Sequence, residues 1–154
     1  MKLTGEIVLD APQQAVFDAL RDARMFASCI EGVRDLQEID ATHYRAVLET
    51  KVAYIKFKFG VAVEVARIEA PRLIEARIEG VPHGIVGRLT ASSVATLSAQ
   101  DEGTRVHYEI DAALTGRLGS LGQPVIRAKA KEMERQFADN LRAAFAGRSA
   151  ERAR

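Results

Sequence analysis

The stretch that decides the fold is Leu121-Gly122-Gln123-Pro124-Val125-Ile126-Arg127-Ala128-Lys129-Ala130-Lys131-Glu132-Met133-Glu134-Arg135-Gln136-Phe137-Ala138-Asp139-Asn140-Leu141-Arg142-Ala143-Ala144-Phe145. Leu121, Val125, Ala128, Met133, Phe137, Leu141 and Phe145 recur at helical spacing, which predicts one long amphipathic helix. About 80 residues before it read almost entirely as strands. A single long helix can bury its apolar stripe only if that sheet bends around it, because no second long helix is available.

Working backwards, Gly116-Arg117-Leu118-Gly119-Ser120-Leu121-Gly122 joins the last strand to the helix. Pro124 would interrupt a ladder begun at Arg117, so a short turn at 117–121 and a main helix from Gln123 are expected. The glycines match neither G-x-G-x-x-G nor a Walker-type loop, which argues against a nucleotide site. They are read as a joint, with Gly116, Gly119 and Gly122 as a candidate cavity hinge or as close-packing positions. On the helix, Arg127, Lys129, Lys131, Glu132, Glu134, Arg135, Asp139 and Arg142 are assigned to a solvated face.

The strands are expected at about 33–40, 43–52, 54–69, 72–80, 85–99 and 103–115, separated by short Gly/Pro/Asp turns, hence an antiparallel meander. Alternation places Thr104, Val106, Tyr108, Ile110, Ala112 and Leu114 on one face, and Ile55, Phe57, Phe59, Val61, Val63 and Val65 on the same inner side. Ile85, Gly87, Leu89, Ala91, Ser93, Ala95 and Leu97 follow if Arg88 is to stay outside. Small residues dominate that row, so either the helix lies very close or something else occupies the space. A first strand over Leu3 to Leu9 and two short helices, the first entered through Asp10, Pro12 and Gln13 as a capping box, precede the meander. The class is α+β: about seven curved antiparallel strands around a C-terminal helix, with residues 1–146 as one domain and 147–154 as a short flexible tail.

Charge is almost balanced, 22 basic against 21 acidic side chains, which disfavours a nucleic-acid partner. Cys29 alone provides no disulfide and no cysteine-cluster zinc site, and is read as a small core hydrophobe in a reducing compartment. His43, His83 and His107 have no ligand spacing, so no metal and no cofactor are expected. Neither a signal-peptide pattern nor an apolar run long enough to span a bilayer occurs, which predicts a cytoplasmic protein with at most peripheral contact at the inner face of the membrane.

Gly5-Glu6-Ile7-Val8-Leu9-Asp10-Ala11-Pro12, Phe17-Asp18-Ala19-Leu20-Arg21-Asp22, Cys29-Ile30-Glu31-Gly32-Val33, Gly103-Thr104 and the 116–122 segment together resemble the carbon monoxide dehydrogenase G-subunit family. The resemblance covers about residues 1–146. It implies the helix-grip fold of the START and Bet v 1-like superfamily, and an accessory role beside a molybdenum hydroxylase. Glu31 stands where the family form has proline, and the apolar anchoring tail that follows the domain in many members is not expected here.

The expectation is therefore a non-enzymatic protein that holds a hydrophobic small molecule or lipid, a quinone being one such ligand, and serves a molybdenum-containing dehydrogenase complex. Phe57, Phe59, Val61, Leu89, Ala91, Ser93, Tyr108, Ile110, Met133, Phe137 and Leu141 are the expected cavity residues, with Thr50 or Ser93 as polar anchor. A recruitment or maturation factor acting through its surface is the alternative. A cyclase- or dehydratase-like enzyme ranks last, because the inward rows offer hydroxyls and scarcely any acid or base.

Overall fold

The computed structural model describes the backbone of residues 1–152 and the side chains of residues 1–147. The chain runs β1 (Lys2–Leu9), α1 (Gln13–Arg21), α2 (Ala23–Ser28), β2 (Val33–Glu38), β3 (His43–Val52), β4 (Ile55–Glu69), β5 (Leu73–Pro82), β6 (Gly87–Gln100), β7 (Gly103–Thr115), α3 (Gly116–Gly119) and α4 (Gln123–Arg152). All seven strands form one antiparallel sheet in the order β1-β7-β6-β5-β4-β3-β2. Consecutive strands pair wherever a short turn joins them. The exception is the step from β1 to β2, which lie at opposite edges, and α1 with α2 carries the chain across that distance.

Register settles the inner face. Leu89 stands opposite Leu114, Ala91 opposite Ala112, Ser93 opposite Ile110, Ala95 opposite Tyr108 and Leu97 opposite Val106, as alternation requires. The outward rows carry exposed ion pairs such as Arg77–Glu64 and Arg88–Glu79. Irregular pairing between Val65 and Arg67 and between Arg34 and Gln37, where Asp35 has a positive φ of 55°, breaks the ladder and lets β4 and β2 turn.

Several local expectations change. Gln13 makes no capping box: the helix is capped at Pro12 without a side-chain bond, and the Gln13 amide reaches Pro71 O (3.0 Å) and Leu97 O (3.1 Å) instead, tying α1 to the β4–β5 turn and to β6. Asp22 is the true cap, accepting from the amides of Arg24 and Met25 at the start of α2. β5 runs on to Pro82 and β6 begins only at Gly87, so Ile85 lies in the turn. Residues 147–152, expected in a tail, have helical backbone as the last part of α4; the tail's Arg154 lies outside the described residues.

On α4, Ala128 is exposed, whereas Ile126 and Ala130 are half-buried and carry the stripe. Lys129 and Glu134 do not belong to a solvated face. Their side chains are only 16% and 20% exposed.

Candidate functional site

The interior is divided. A lower core gathers Ile7, Leu9, Val16, Phe17, Cys29, Leu97, Val106, Ala138 and Leu141, with Phe137 packed against it. An upper core at the opposite end consists of Val52, Phe57 and Leu118, with Phe59, Leu89, Leu114, Leu121 and Val125 around it. Between them Leu48, Val61, Val63, Ala76, Ile78, Ala91, Ile110 and Met133 belong to neither core and are only half-buried, although the sheet's register turns the strand residues towards the helix. A native interior packs its apolar side chains against one another without such a break. Here the inward row between the two cores is left out of both.

The helix is seated unevenly. On the β1 side, Arg127 donates to Lys2 O (3.0 Å), Arg142 donates to Val8 O (3.2 and 3.3 Å), and the Tyr108 hydroxyl on β7 donates to the Glu134 carboxylate. Gly5 makes room for that last bond, since a Cβ there would collide with the Tyr108 hydroxyl. Burial, and then the neighbouring carboxylate, push the Tyr108 phenol well above the ordinary tyrosine range. On the α2 side, Asn140 donates to Cys29 O (3.0 Å) and the Phe26 and Phe137 rings meet at 4.9 Å, both near the helix's midpoint.

Beyond those contacts a gap of about 400 Å³ separates α4 from β3, lined by Gly32, Glu49, Thr50, Lys51, Lys56, Lys129, Glu132, Met133 and Gln136 together with Glu31. Thr50 and Met133 face inward as well, so the gap opens onto the half-buried middle of the sheet. Half of its charges are matched: Lys129 lies 3.2 Å from Glu132, and Glu49 is held by Arg34.

The expected cavity residues separate into three groups. Val61, Ala91, Ser93, Ile110 and Met133 occupy the half-buried middle. Phe57, Phe59 and Leu89 belong to the upper core, and Phe137 and Leu141 to the lower one, with Leu141 1% exposed. Tyr108 is engaged by Glu134. Ser93 stands between Ala76 and Ile110, and among the described residues neither its hydroxyl nor that of Thr50 has a hydrogen-bond partner. The glycines of the joint have packing reasons. Gly116, at φ +62°, bridges to Gly87, and a Cβ on Gly119 would stand 2.8 Å from Leu114 O.

Lys129, Glu134 and Gln136 are the site residues that sequence patterning missed. At about 100° per residue all three lie within about 100° of Phe137 around the helix, at the margin of the stripe, and that placement was the available signal.

A second, larger groove of about 820 Å³ lies on the other face of the sheet, lined by outward residues including His43, Arg45, Glu64, Arg77, Glu79, Thr90, Ser92 and Asp111. At its edge Asp40 is held down to about 2, by the Thr42 amide first and then by His43. Among the described residues no group of three or more His, Cys, Asp or Glu side chains is placed to hold a metal ion. Nor is any helix long and apolar enough to cross a membrane.

A seven-stranded antiparallel sheet gripping one long helix, with two short helices after the first strand, places the chain in the helix-grip class, the fold of Bet v 1-like proteins. Its sequence matches the carbon monoxide dehydrogenase G-subunit (CoxG) family over residues 5–146, and the chain belongs to that family. Among solved structures, a conserved protein from Geobacillus kaustophilus is 26% identical, with 96% of each chain covered and a TM-score of 0.87. Protein CV1439 from Chromobacterium violaceum is 17% identical over 93% of this chain and 95% of its own, at a TM-score of 0.70. Ara h 8.0201 shares the fold at 12% identity, 96% and 98% coverage and a TM-score of 0.69. No curated protein matches the sequence.

Proposed function

We propose that this chain is a non-enzymatic accessory protein of a molybdenum hydroxylase of the aerobic carbon monoxide dehydrogenase type, and that it encloses an apolar small molecule or lipid between sheet and helix. The observation that carries this reading is the break between the two cores, where most apolar inward side chains stay half-buried and belong to neither core. Filling that space with an apolar guest would bury surface at roughly 25 cal/mol per Å². Family membership supports the accessory role. A lipophilic quinone suits both the apolar middle and the free hydroxyls of Ser93 and Thr50, which orient a polar head as pockets of this type do. The protein works in the cytoplasm, with contact at the inner face of the membrane where such guests reside.

Native mass spectrometry before and after organic extraction tests the proposal. The expected result is a co-purified apolar molecule, or uptake of added quinone or lipid by the extracted protein. A second reading, a recruitment or maturation factor without ligand, is favoured by the charged groove on the outer face. It gains if neither guest nor uptake is found and substitution of Arg45 and Arg77 abolishes capture of the dehydrogenase.

A further inference from the structure

The end of the molecule beside the gap has an unusual tip. β3 and β4 are joined by Ala53 and Tyr54 alone, both at positive φ (49° and 71°). Two-residue turns of this shape are normally made by Asn, Asp and Gly, because a left-handed backbone is costly at a residue with a Cβ. Tyr54 bears that cost while its side chain packs on nothing: it is 101% exposed. Ile55 beside it is 47% exposed.

The same end carries the β5–β6 turn, since His83 N donates to Lys58 O (2.8 Å), and there Val86 is 82% exposed. Around these apolar groups stand Lys51, Lys56 and Lys58, and Arg117, whose amide bonds Val86 O (3.0 Å). Among the described residues none of the three lysines has an ion-pair partner. The nearby acids are occupied: Glu49 by Arg34, Glu79 by Arg88 and Glu132 by Lys129, leaving Glu31 without one. An exposed aromatic at a tip, flanked by unpaired lysines, matches the chemistry of an anionic bilayer surface, where tyrosine sits at the headgroup level and basic side chains meet acidic lipid.

We propose that the β3–β4 tip, with Val86 beside it, docks end-on against an anionic lipid surface. Lys51 and Lys56 line the gap under α4 as well as flanking the tip, so docking sets the opening of the interior against the bilayer. Guest exchange at that position rests on the carrier reading above; the docking itself does not.

Co-sedimentation with phosphatidylcholine–phosphatidylglycerol vesicles, compared with pure phosphatidylcholine vesicles, tests the proposal. The expected result is salt-sensitive binding to the anionic vesicles only. Combined Lys51→Ser, Lys56→Ser and Lys58→Ser weakens it about 100-fold, at about a factor of five per lysine, and Tyr54→Ser with Val86→Ser weakens it further. All these positions are exposed, so thermal unfolding should be little changed. The sequence contains no tryptophan, so Tyr54→Trp supplies a single probe whose emission shifts to the blue on vesicle binding. The proposal is overturned if the folded protein ignores anionic vesicles, if the lysine variant binds as wild type does, or if the emission of the Tyr54→Trp variant does not move. Loss of dehydrogenase capture in the tip variants, without vesicle binding by wild type, would assign the tip to a protein partner. Quinone uptake measured in detergent, without vesicles, keeps the two readings apart: uptake without docking defeats this inference alone, and docking without uptake defeats the carrier.

Discussion

The Tyr108 hydroxyl on β7 is bonded to the Glu134 carboxylate on α4, fixing the long helix to the sheet on the β1 side while its other flank stays open over the gap. A hydrogen bond to a charged acceptor contributes about 1.5–3 kcal/mol. Glu134 is partly exposed and has Lys131 at 3.7 Å as a second partner, so Tyr108→Phe should cost about 1–2 kcal/mol. At roughly 2–4 °C per kcal/mol for a chain of this size, the melting temperature should fall by about 2–8 °C.

The same bond sets a limit on alkaline stability. Free tyrosine ionises near pH 10, and in the folded protein the Tyr108 phenol is pushed above that value by burial and by Glu134. The folded state therefore keeps its proton where the unfolded state has lost it. Its contribution is complete below about pH 10 and is lost as pH rises through the folded value. Urea midpoints at increasing pH should decline above that point in wild type and decline less steeply in Tyr108→Phe.

Gly5 is needed by Tyr108 more than by its own strand. Its Cβ would meet the phenol ring, so Gly5→Ala should displace the tyrosine and break the latch. The cost should largely vanish in a Tyr108→Ala background, where the ring is gone. A double-mutant cycle by denaturant unfolding reads this coupling, and equal costs in the two backgrounds would show that Gly5 serves the backbone alone.

Two alanines on one strand separate an unfilled interior from a packed one. Ala95 stands opposite Tyr108 and packs on the lower core, so Ala95→Phe should overpack it and cost about 1–3 kcal/mol. Ala91 lies in the half-buried middle, and Ala91→Phe should fold with wild-type stability or better while abolishing guest uptake. Paired melting and uptake measurements check both. Equal destabilisation by the two would mean that the middle is as full as the ends.

The strand pattern made Ala91 and Ala95 readable as inward residues, because side-chain direction along a strand has a period of two and the register leaves it no freedom. It did not reveal that one meets a core and the other does not. That difference depends on how high the helix rides, which is set by bonds such as Tyr108–Glu134 between residues 26 apart in sequence. Lys129 and Glu134 were misplaced for a related reason. A charged residue on a helix is usually solvated, but one at the margin of the apolar stripe can turn its polar head into the seam and bury its stem. The gap is drawn from the α2–β2 connection, the β3–β4 hairpin and α4 at once, so no local spacing announces it. Gln13 read as a cap because its spacing from Asp10 fits one; the carbonyls of Pro71 and Leu97 that claim it are visible only in three dimensions.

Cys29 reports on the contact between α2 and the middle of the long helix. It is 2% exposed, and burial raises its thiol pKa against a smaller opposing effect from Ser28, so at neutral pH the native protein should react with a thiol reagent only when α2 lifts away from α4. Asn140 holds that contact through Cys29 O. Removing a hydrogen bond of about 1 kcal/mol raises the open population about fivefold. Asn140→Ala should therefore speed labelling of Cys29 about fivefold under native conditions. In urea-unfolded protein the two rates should coincide, because the substitution changes access to the thiol and not its chemistry. An unchanged native rate in Asn140→Ala would place the opening elsewhere, with the Phe26–Phe137 contact as the remaining clasp between α2 and the helix.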